Sequence, residues 1–300
     1  MNPARNKFWP KNGGLRLISL IVVLIGAVRV VVIWQVAFER TRYELEEATR
    51  YEFIHNANLA AAIEEHTDRT LKSVEQAFNL VEKEYRNQGS STDLNRLLID
   101  GGFSFKNFSY LAVINEQAVV AAGPDKPVPV NASDRDYFRH HQATDSKQLF
   151  IGKPVHGRVS GKWTIPVTRR INKPDGSFAG VVVGAIEPAY FTDFYLKTDV
   201  GAQGIVSLIG LDGTVRARRV GRQTTIGNDV TKGPLLPAQA RQPEGSLLGV
   251  GSVDGVTRLF SYRTLKDYPL FVAVGTSQTE ALGPVFQRQK ITTQRPAWPR

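Results

Sequence analysis

Between Gly26 and Gly89 the chain contains no glycine, and between Pro10 and Pro124 no proline. These two residues are the ones that end or kink helices, so the amino-terminal region is committed to one helix running to about residue 87. Its first part is apolar. Residues 15–38 are almost only Leu, Ile, Val, Ala, Phe and Trp, interrupted by Arg16, Ser19, Gly26, Arg29 and Gln35. As a helix this run measures about 36 Å, enough to cross a hydrocarbon core of about 30 Å. A cleaved signal peptide with its apolar core at 17–28 is the rival reading, but Arg29 and a second apolar block follow without a small-x-small cleavage pattern. The sequence therefore predicts an uncleaved anchor. Arg5, Lys7, Lys11 and Arg16 precede it and no acid occurs before Glu39, a bias that holds the amino terminus in the cytoplasm and puts the rest outside.

Past the anchor, Ile63, Thr67, Thr70, Val74, Ala77, Phe78, Val81 and Tyr85 recur at spacings of three and four. That spacing lays one apolar stripe along a helix, expected to serve as a spine or as a dimer seam. After Ser90 the texture changes to short β-rich runs at 108–114, 117–122, 162–171 and 178–186, then at 204–211, 214–219, 246–250, 257–264 and 270–276. Asp175-Gly176, Asp212-Gly213 and Asp254-Gly255 mark tight hairpins, because glycine takes the positive φ such turns need. A short helix is expected at 134–141 with Ser133 as its N-cap, and another at 278–290. The predicted fold class is α+β: a long amino-terminal helix followed by two α/β modules with mixed, mainly antiparallel sheets. The expected organisation is a cytoplasmic start at 1–14, a span at 15–38, a spine helix at 39–90, modules at 91–196 and 197–290 with the division near 195–202, and a polar tail at 291–300.

Composition removes several functions. Of the 300 residues none is cysteine, which excludes disulfides, thiolate metal sites and cysteine nucleophiles. The formal charge of +10 fits a nucleic-acid binder, but the basic residues are spread among acids, so no nucleic-acid partner is expected. The five histidines form no His-Glu-x-x-His pair, and no Gly-x-Ser-x-Gly elbow or phosphate loop occurs, so the chain is read as a non-enzyme without cofactor. Asp136, His140 and His141 invite a metal, but adjacent histidines leave the backbone in different directions, and no metal is expected.

Asp134-Arg135-Asp136-Tyr137-Phe138, Ile151-Gly152-Lys153-Pro154, the polar-apolar run 161–170 and the glycine-rich run 175–184 follow one another in an order that resembles the double Cache domains. The likeness extends from about residue 39 to 287. Double Cache domains are PAS-like periplasmic sensors of chemoreceptors, sensor histidine kinases and diguanylate cyclases. The resemblance implies that the membrane-distal module, here 91–196, holds a ligand. It also implies that Arg135, in an Arg-x-aromatic-aromatic run with Tyr137 and Phe138, meets a ligand carboxylate. The amino-acid-binding branch carries an Asp on the closing strand, where this chain has Ala185.

Arg135, His156, Arg158 and Arg169 fall in segments expected near the distal cavity, where guanidinium forks suit a carboxylate or phosphate. Tyr110, Tyr137 and Trp163 offer flat walls with polar tips. Against this stands a plainer reading, with Tyr137, Phe138 and Trp163 as core anchors and the arginines paired with Asp134, Asp136 and Asp145. Strand alternation puts Trp163, Ile165, Val167 and Arg169 on one face and Thr164, Pro166, Thr168 and Arg170 on the other, without saying which looks into a cavity. The expected function is a membrane-anchored extracytoplasmic sensor, a homodimer that binds an organic anion or amino-acid-like ligand and signals to a cytoplasmic output domain or partner. The residues after Phe286 contain no second apolar span, so the output is expected elsewhere, and a truncated cyclase or kinase is one reading of that. An envelope scaffold that binds protein is the other alternative.

Overall fold

The computed structural model describes residues 13–102, 108–123, 131–195 and 199–293, and the expected cytoplasmic start up to residue 12, the tail from 294 and part of the division at 196–198 lie outside them. The described residues divide into two units, one of residues 13–50 with 284–293, the other Tyr51–Gly283. Helix α1, Gly13–Gln88, runs through both as a single element of 76 residues, as expected of a stretch without breakers. In the first unit every residue from Ile18 to Arg40 is exposed. This part makes the helix long and apolar enough to cross a membrane, with a mean hydropathy of 2.5 over an 18-residue window. Arg40 to Glu44 and Arg42 to Glu46 are ion pairs one helical turn apart that follow the apolar run.

The second unit holds two sheets whose topologies repeat. The first contains β1 (Tyr110–Asn115), β2 (Val120–Ala122), β3 (Phe150–Ile151), β4 (Val155–His156), β5 (Trp163–Asn172) and β6 (Phe178–Ile186), in the order β2-β1-β6-β5-β3, with β4 also on β5. The second contains β7 (Ile205–Gly210), β8 (Val215–Val220), β9 (Gln223–Thr225), β10 (Glu244–Val250), β11 (Thr257–Thr264) and β12 (Leu270–Ser277), in the order β10-β11-β12-β7-β8-β9. In each, an early hairpin pairs edge to edge with the last strand of a later hairpin. All pairings between strands among the described residues are antiparallel, where the sequence allowed a mixed sheet. The three Asp-Gly pairs do close hairpins, with φ of 85° at Gly176, 75° at Gly213 and 71° at Gly255.

The stripe on α1 is a spine. Ile63, Thr67, Thr70, Leu71, Val74, Ala77, Phe78 and Val81 are all buried. The apolar ones among them join Leu111, Val113, Ile165 and Val167 of the first sheet and Val206, Leu208, Val272 and Val274 of the second in one contiguous core. Polar contacts fix the register. The Asn56 side-chain amide donates to the Leu259 carbonyl at 2.9 Å and its oxygen accepts from Thr276 Oγ1 at 3.0 Å. Arg263 meets Glu64 at 2.8 Å. Farther along, Arg169 of β5 reaches Asn79 at 2.6 Å and Glu82 at 2.8 Å. Because this face is consumed inside one chain, it is not free to form a dimer seam.

The opposite faces carry separate small cores. On the first sheet Ile114, Val181 and Val183 lie under Phe138 of helix α3, Asp136–Ala143. On the second, Ile205, Val215, Phe260 and Phe271 lie under Leu235 of helix α5, Leu235–Arg241. Helix α5 was not anticipated, nor were α2 (Leu94–Asp100) and α4 (Pro188–Tyr195), each only two turns long and too short for a periodic signal. The last helix, α6, spans Gln278–Thr293. Phe78 is wholly buried and stacks against Phe108 at 6.1 Å between ring centres. Phe78→Ala is expected to cost about 3–5 kcal/mol of stability in urea denaturation, the usual toll of emptying an aromatic site in a core.

Candidate ligand-binding site

Helix α3 begins at the motif the sequence singled out, but its cap differs from expectation. Arg135, in extended conformation, occupies the N-cap position and makes no side-chain cap. Ser133 lies two residues too early, its own N–H bound by the Asn131 side chain at 2.8 Å. An uncapped helix start leaves backbone N–H groups open beside Arg135. Asp134 turns away toward Arg158, whose Nη1 donates to the Asp134 carboxylate at 3.0 Å and to the Asn131 carbonyl at 2.8 Å. Hydrogen bonding from Arg158 holds the Asp134 carboxyl below the usual carboxylate range.

Beside this helix start opens a cleft of about 820 Å³, within the size range of small-molecule sites. One wall comes from the first sheet's half: Arg135, Tyr137 and His140 of the α3 segment, and Gly152 and Lys153 after β3. The other comes from the second: Asp212 and Arg216 of the β7–β8 hairpin and residues 264–269 between β11 and β12. The halves touch at its base, where Arg216 Nη2 donates to the Ile151 carbonyl at 3.3 Å while pairing with Asp212 at 3.0 Å. Burial pushes the Asp212 carboxyl up, but hydrogen bonds from Arg216 and Thr214 outweigh it and the group titrates below its ordinary value. Arg216 is itself buried and its Nε has no acceptor among the described residues.

The charges lining the cleft are balanced in number but not in engagement. Of the acids, Asp134 pairs with Arg158, Asp212 with Arg216 and Asp267 with Lys72. Arg135, Lys153 and Lys266 have no ion-pair partner among the described residues, against Asp136 alone on the acidic side. The surplus is cationic, which suits a ligand with net negative charge.

The expected site residues divide. Arg135 and Tyr137 line the cleft. Tyr110 and Arg158 do not line it, but both act on the Tyr137 hydroxyl, which burial above all pushes up to about 12. Burial likewise raises Tyr110. Phe138 is a core residue, edge-on to Phe178 at 5.5 Å. His156 and Trp163 face each other across β4 and β5 with ring centres 5.9 Å apart, both exposed. Arg169 points to α1 and is consumed by Asn79 and Glu82. The face of β5 that turns toward α3 and the cleft is the other one, with Pro166 on the cleft wall and Thr168 and Arg170 beneath His141. Among the described residues no cluster of three metal-ligating side chains occurs. His140 stacks on Phe150 at 4.5 Å while His141 turns inward to Thr168 at 2.9 Å, the divergence adjacent positions impose. Lys153, Arg216 and Lys266 escaped sequence reading because nothing local links them.

The sequence profile of the Cache domain matches residues 41–285. The chain belongs to the Cache domain family. Its two repeated sheets against one long helix are the double Cache arrangement. Among solved structures, this Cache chain is similar to the extracellular domain of the histidine kinase rpHK1S-Z16, with 31% identity over 78% of this chain and 97% of that one, TM-score 0.70. It shares its fold with the ligand-binding domain of the Pseudomonas aeruginosa PAO1 chemoreceptor PctB, solved with L-Arg (13% identity, 77% and 96% covered, TM-score 0.57). The same holds for the Campylobacter jejuni chemoreceptor Tlp3, solved with L-norvaline (12% identity, 85% and 97% covered, TM-score 0.54). A comparison with curated protein sequences returns no match.

Within this Cache domain His141 is a buried titratable group of helix α3, adjacent to His140 of the cleft wall. Burial pushes its imidazole down to about 4 from an ordinary 6.5, helped by the charges of His140 and Arg170 and opposed by the Thr168 hydrogen bond. Folded protein therefore holds it neutral while the unfolded chain takes up a proton below about pH 6.5. Its contribution is fully present above that pH and is lost as pH falls toward 4, on the order of 3 kcal/mol at about 1.4 kcal/mol per unit. Urea denaturation at stepped pH checks this: His141→Gln should flatten the loss of stability between pH 6.5 and 4 relative to the parent protein.

Proposed function

We propose that this Cache chain is the extracytoplasmic sensor part of a membrane-anchored bacterial receptor, and that its ligand is a small organic anion bound in the cleft between the two modules. The observation that carries the reading is the excess of unpaired cations around that cleft. Arg135 and Lys153 would hold a carboxylate from the side of the first module, with the Tyr137 ring as a wall, while Lys266 and Arg216 approach from the second. Asp136 is placed to accept an ammonium, so an acidic amino acid falls within the class, and Ala185 removes the Asp used for that purpose in the amino-acid-binding branch. The solved relatives bound to L-Arg and L-norvaline support a small-molecule ligand of carboxylate chemistry.

A ligand touching both walls binds best where the modules sit closest, so it biases their spacing in proportion to its preference for the closed form. The Arg216 contact to Ile151 is the link such a ligand would load, and α1, common to both cores, is the element that would carry the bias onward. Residues 15–38 form the anchor in this reading, with the amino terminus in the cytoplasm, and a homodimer and a cytoplasmic output domain or partner complete the receptor.

Full-length protein in detergent, screened by calorimetry against dicarboxylates, hydroxy acids and amino acids, is expected to yield a saturable ligand. Arg135→Ala should weaken it roughly ten- to a hundredfold, the worth of a charged hydrogen bond. No saturable binding to any anion, together with a stoichiometric protein complex, would carry the scaffold reading instead. Topology has its own test, because the chain has no native cysteine. Lys147→Cys should react with an impermeant maleimide on intact spheroplasts; reaction only after lysis contradicts the placement.

A further inference from the structure

A second charged site lies in the second module, on the sheet face away from α1. Ser207 and Arg218 stand directly opposite one another on β7 and β8, and with Arg258 of β11 they line a small cavity of about 30 Å³ against Gly251 and Phe260. Both arginine side chains are buried, Arg218 at 6% exposure and Arg258 at 0%, and both pair with one carboxylate, Asp254, at 2.6 and 2.8 Å. Arg258 is engaged through all three nitrogens: Nη1 and Nη2 hold Asp254 at 2.8 Å and Nε donates to the Gln203 carbonyl at 2.7 Å. Arg218 uses only Nη2 among the described residues. Two buried guanidinium charges thus share one negative charge, that of a carboxylate a quarter exposed to solvent. Ser207 is 99% buried, being 1% exposed, and its Oγ has no hydrogen-bond partner among the described residues.

Buried charge is retained only when compensated, and an orphaned hydroxyl beside it costs the desolvation of a donor that has nothing to bind. One species removes both deficits. We infer that this cavity is a binding site for a single monatomic anion of the halide class, chloride being the abundant one, held by the free edge of the Arg218 guanidinium and the Ser207 hydroxyl. The small volume favours a compact ligand: the space is enough for a water-sized particle and suits a monatomic ion. A water would satisfy Ser207 but leave the extra positive charge uncompensated. The site is independent of the cleft: it shares no residue with it and sits on the second module alone.

The test uses the full chain in detergent, with chloride and bromide as probes and gluconate as the ionic-strength control, since gluconate is too large to enter. The melting temperature should rise with chloride and saturate, by several degrees over gluconate at equal ionic strength. Arg218→Gln should abolish the difference while the protein remains folded by circular dichroism. If that variant does not fold, Ser207→Ala replaces it and should weaken the chloride dependence by shifting its midpoint upward. Crystals grown in bromide should show an anomalous peak between Ser207 and Arg218. Identical melting in chloride and gluconate, a chloride effect that survives both substitutions, or density there without anomalous signal would each overturn the inference. None of these outcomes depends on whether the cleft binds an organic anion.

Discussion

One buried helix face holds the molecule together. From Ile63 to Val81 the inner side of α1 has nowhere to go but between two sheets, and each sheet buries one face only by lying against it. Neither sheet has a second large layer of its own: their outer faces are covered by α3 and α5, helices of eight and seven residues with small local cores. Removing apolar surface from water on the scale of a core therefore requires the same helix for both modules. The polar contacts of Asn56, Glu64, Asn79 and Glu82 set the register, because each buried partner left unmatched by a slip costs the desolvation of that group.

The placement of the cleft follows from this. Two sheets threaded on one helix leave a gap at their facing ends, and the chain lines it with hairpin turns and the uncapped start of α3 instead of apolar strand faces. Turns bring charged and polar residues, so the gap is wet and ionic while the spine beneath it is dry. Arg216 is where the two meet, a buried guanidinium holding its own hairpin through Asp212 and the neighbouring sheet through Ile151. A solute that engages both walls acts on a joint that already exists, which is how a small binding energy reaches an element as long as α1. Arginine serves throughout as internal fastening: Arg169, Arg216, Arg218 and Arg258 are all buried and all engaged with carboxylates.

Much of the architecture was readable from residues. Absence of glycine and proline gave α1, its three- and four-residue spacing gave the buried stripe, and three Asp-Gly pairs gave three hairpins. The repeat of the sheets follows once those hairpins are placed. The orientation of β5 was not readable, because eight consecutive residues from Thr164 to Ile171 are buried and a strand covered on both faces has no alternation to betray its inside. Arg169 and Arg170 look alike in sequence, yet one ties the strand to α1 and the other lies under His141. The second wall of the cleft was equally silent. Lys153 and Arg216 come together only because two separate sheets share a helix, and no local pattern records a contact made through a third element. Short helices α2, α4 and α5 fall below the length at which a period can be counted.

The claim on which all of this rests is that the two modules are one cooperative body built on α1. Native-state hydrogen exchange on a Leu71→Ala variant addresses it most directly, since Leu71 is wholly buried in the shared core and lies on neither sheet. The account predicts that amides of β6 in the first sheet and β12 in the second lose protection together and by similar factors. Loss confined to one sheet, with the other exchanging as in the parent protein, would contradict it.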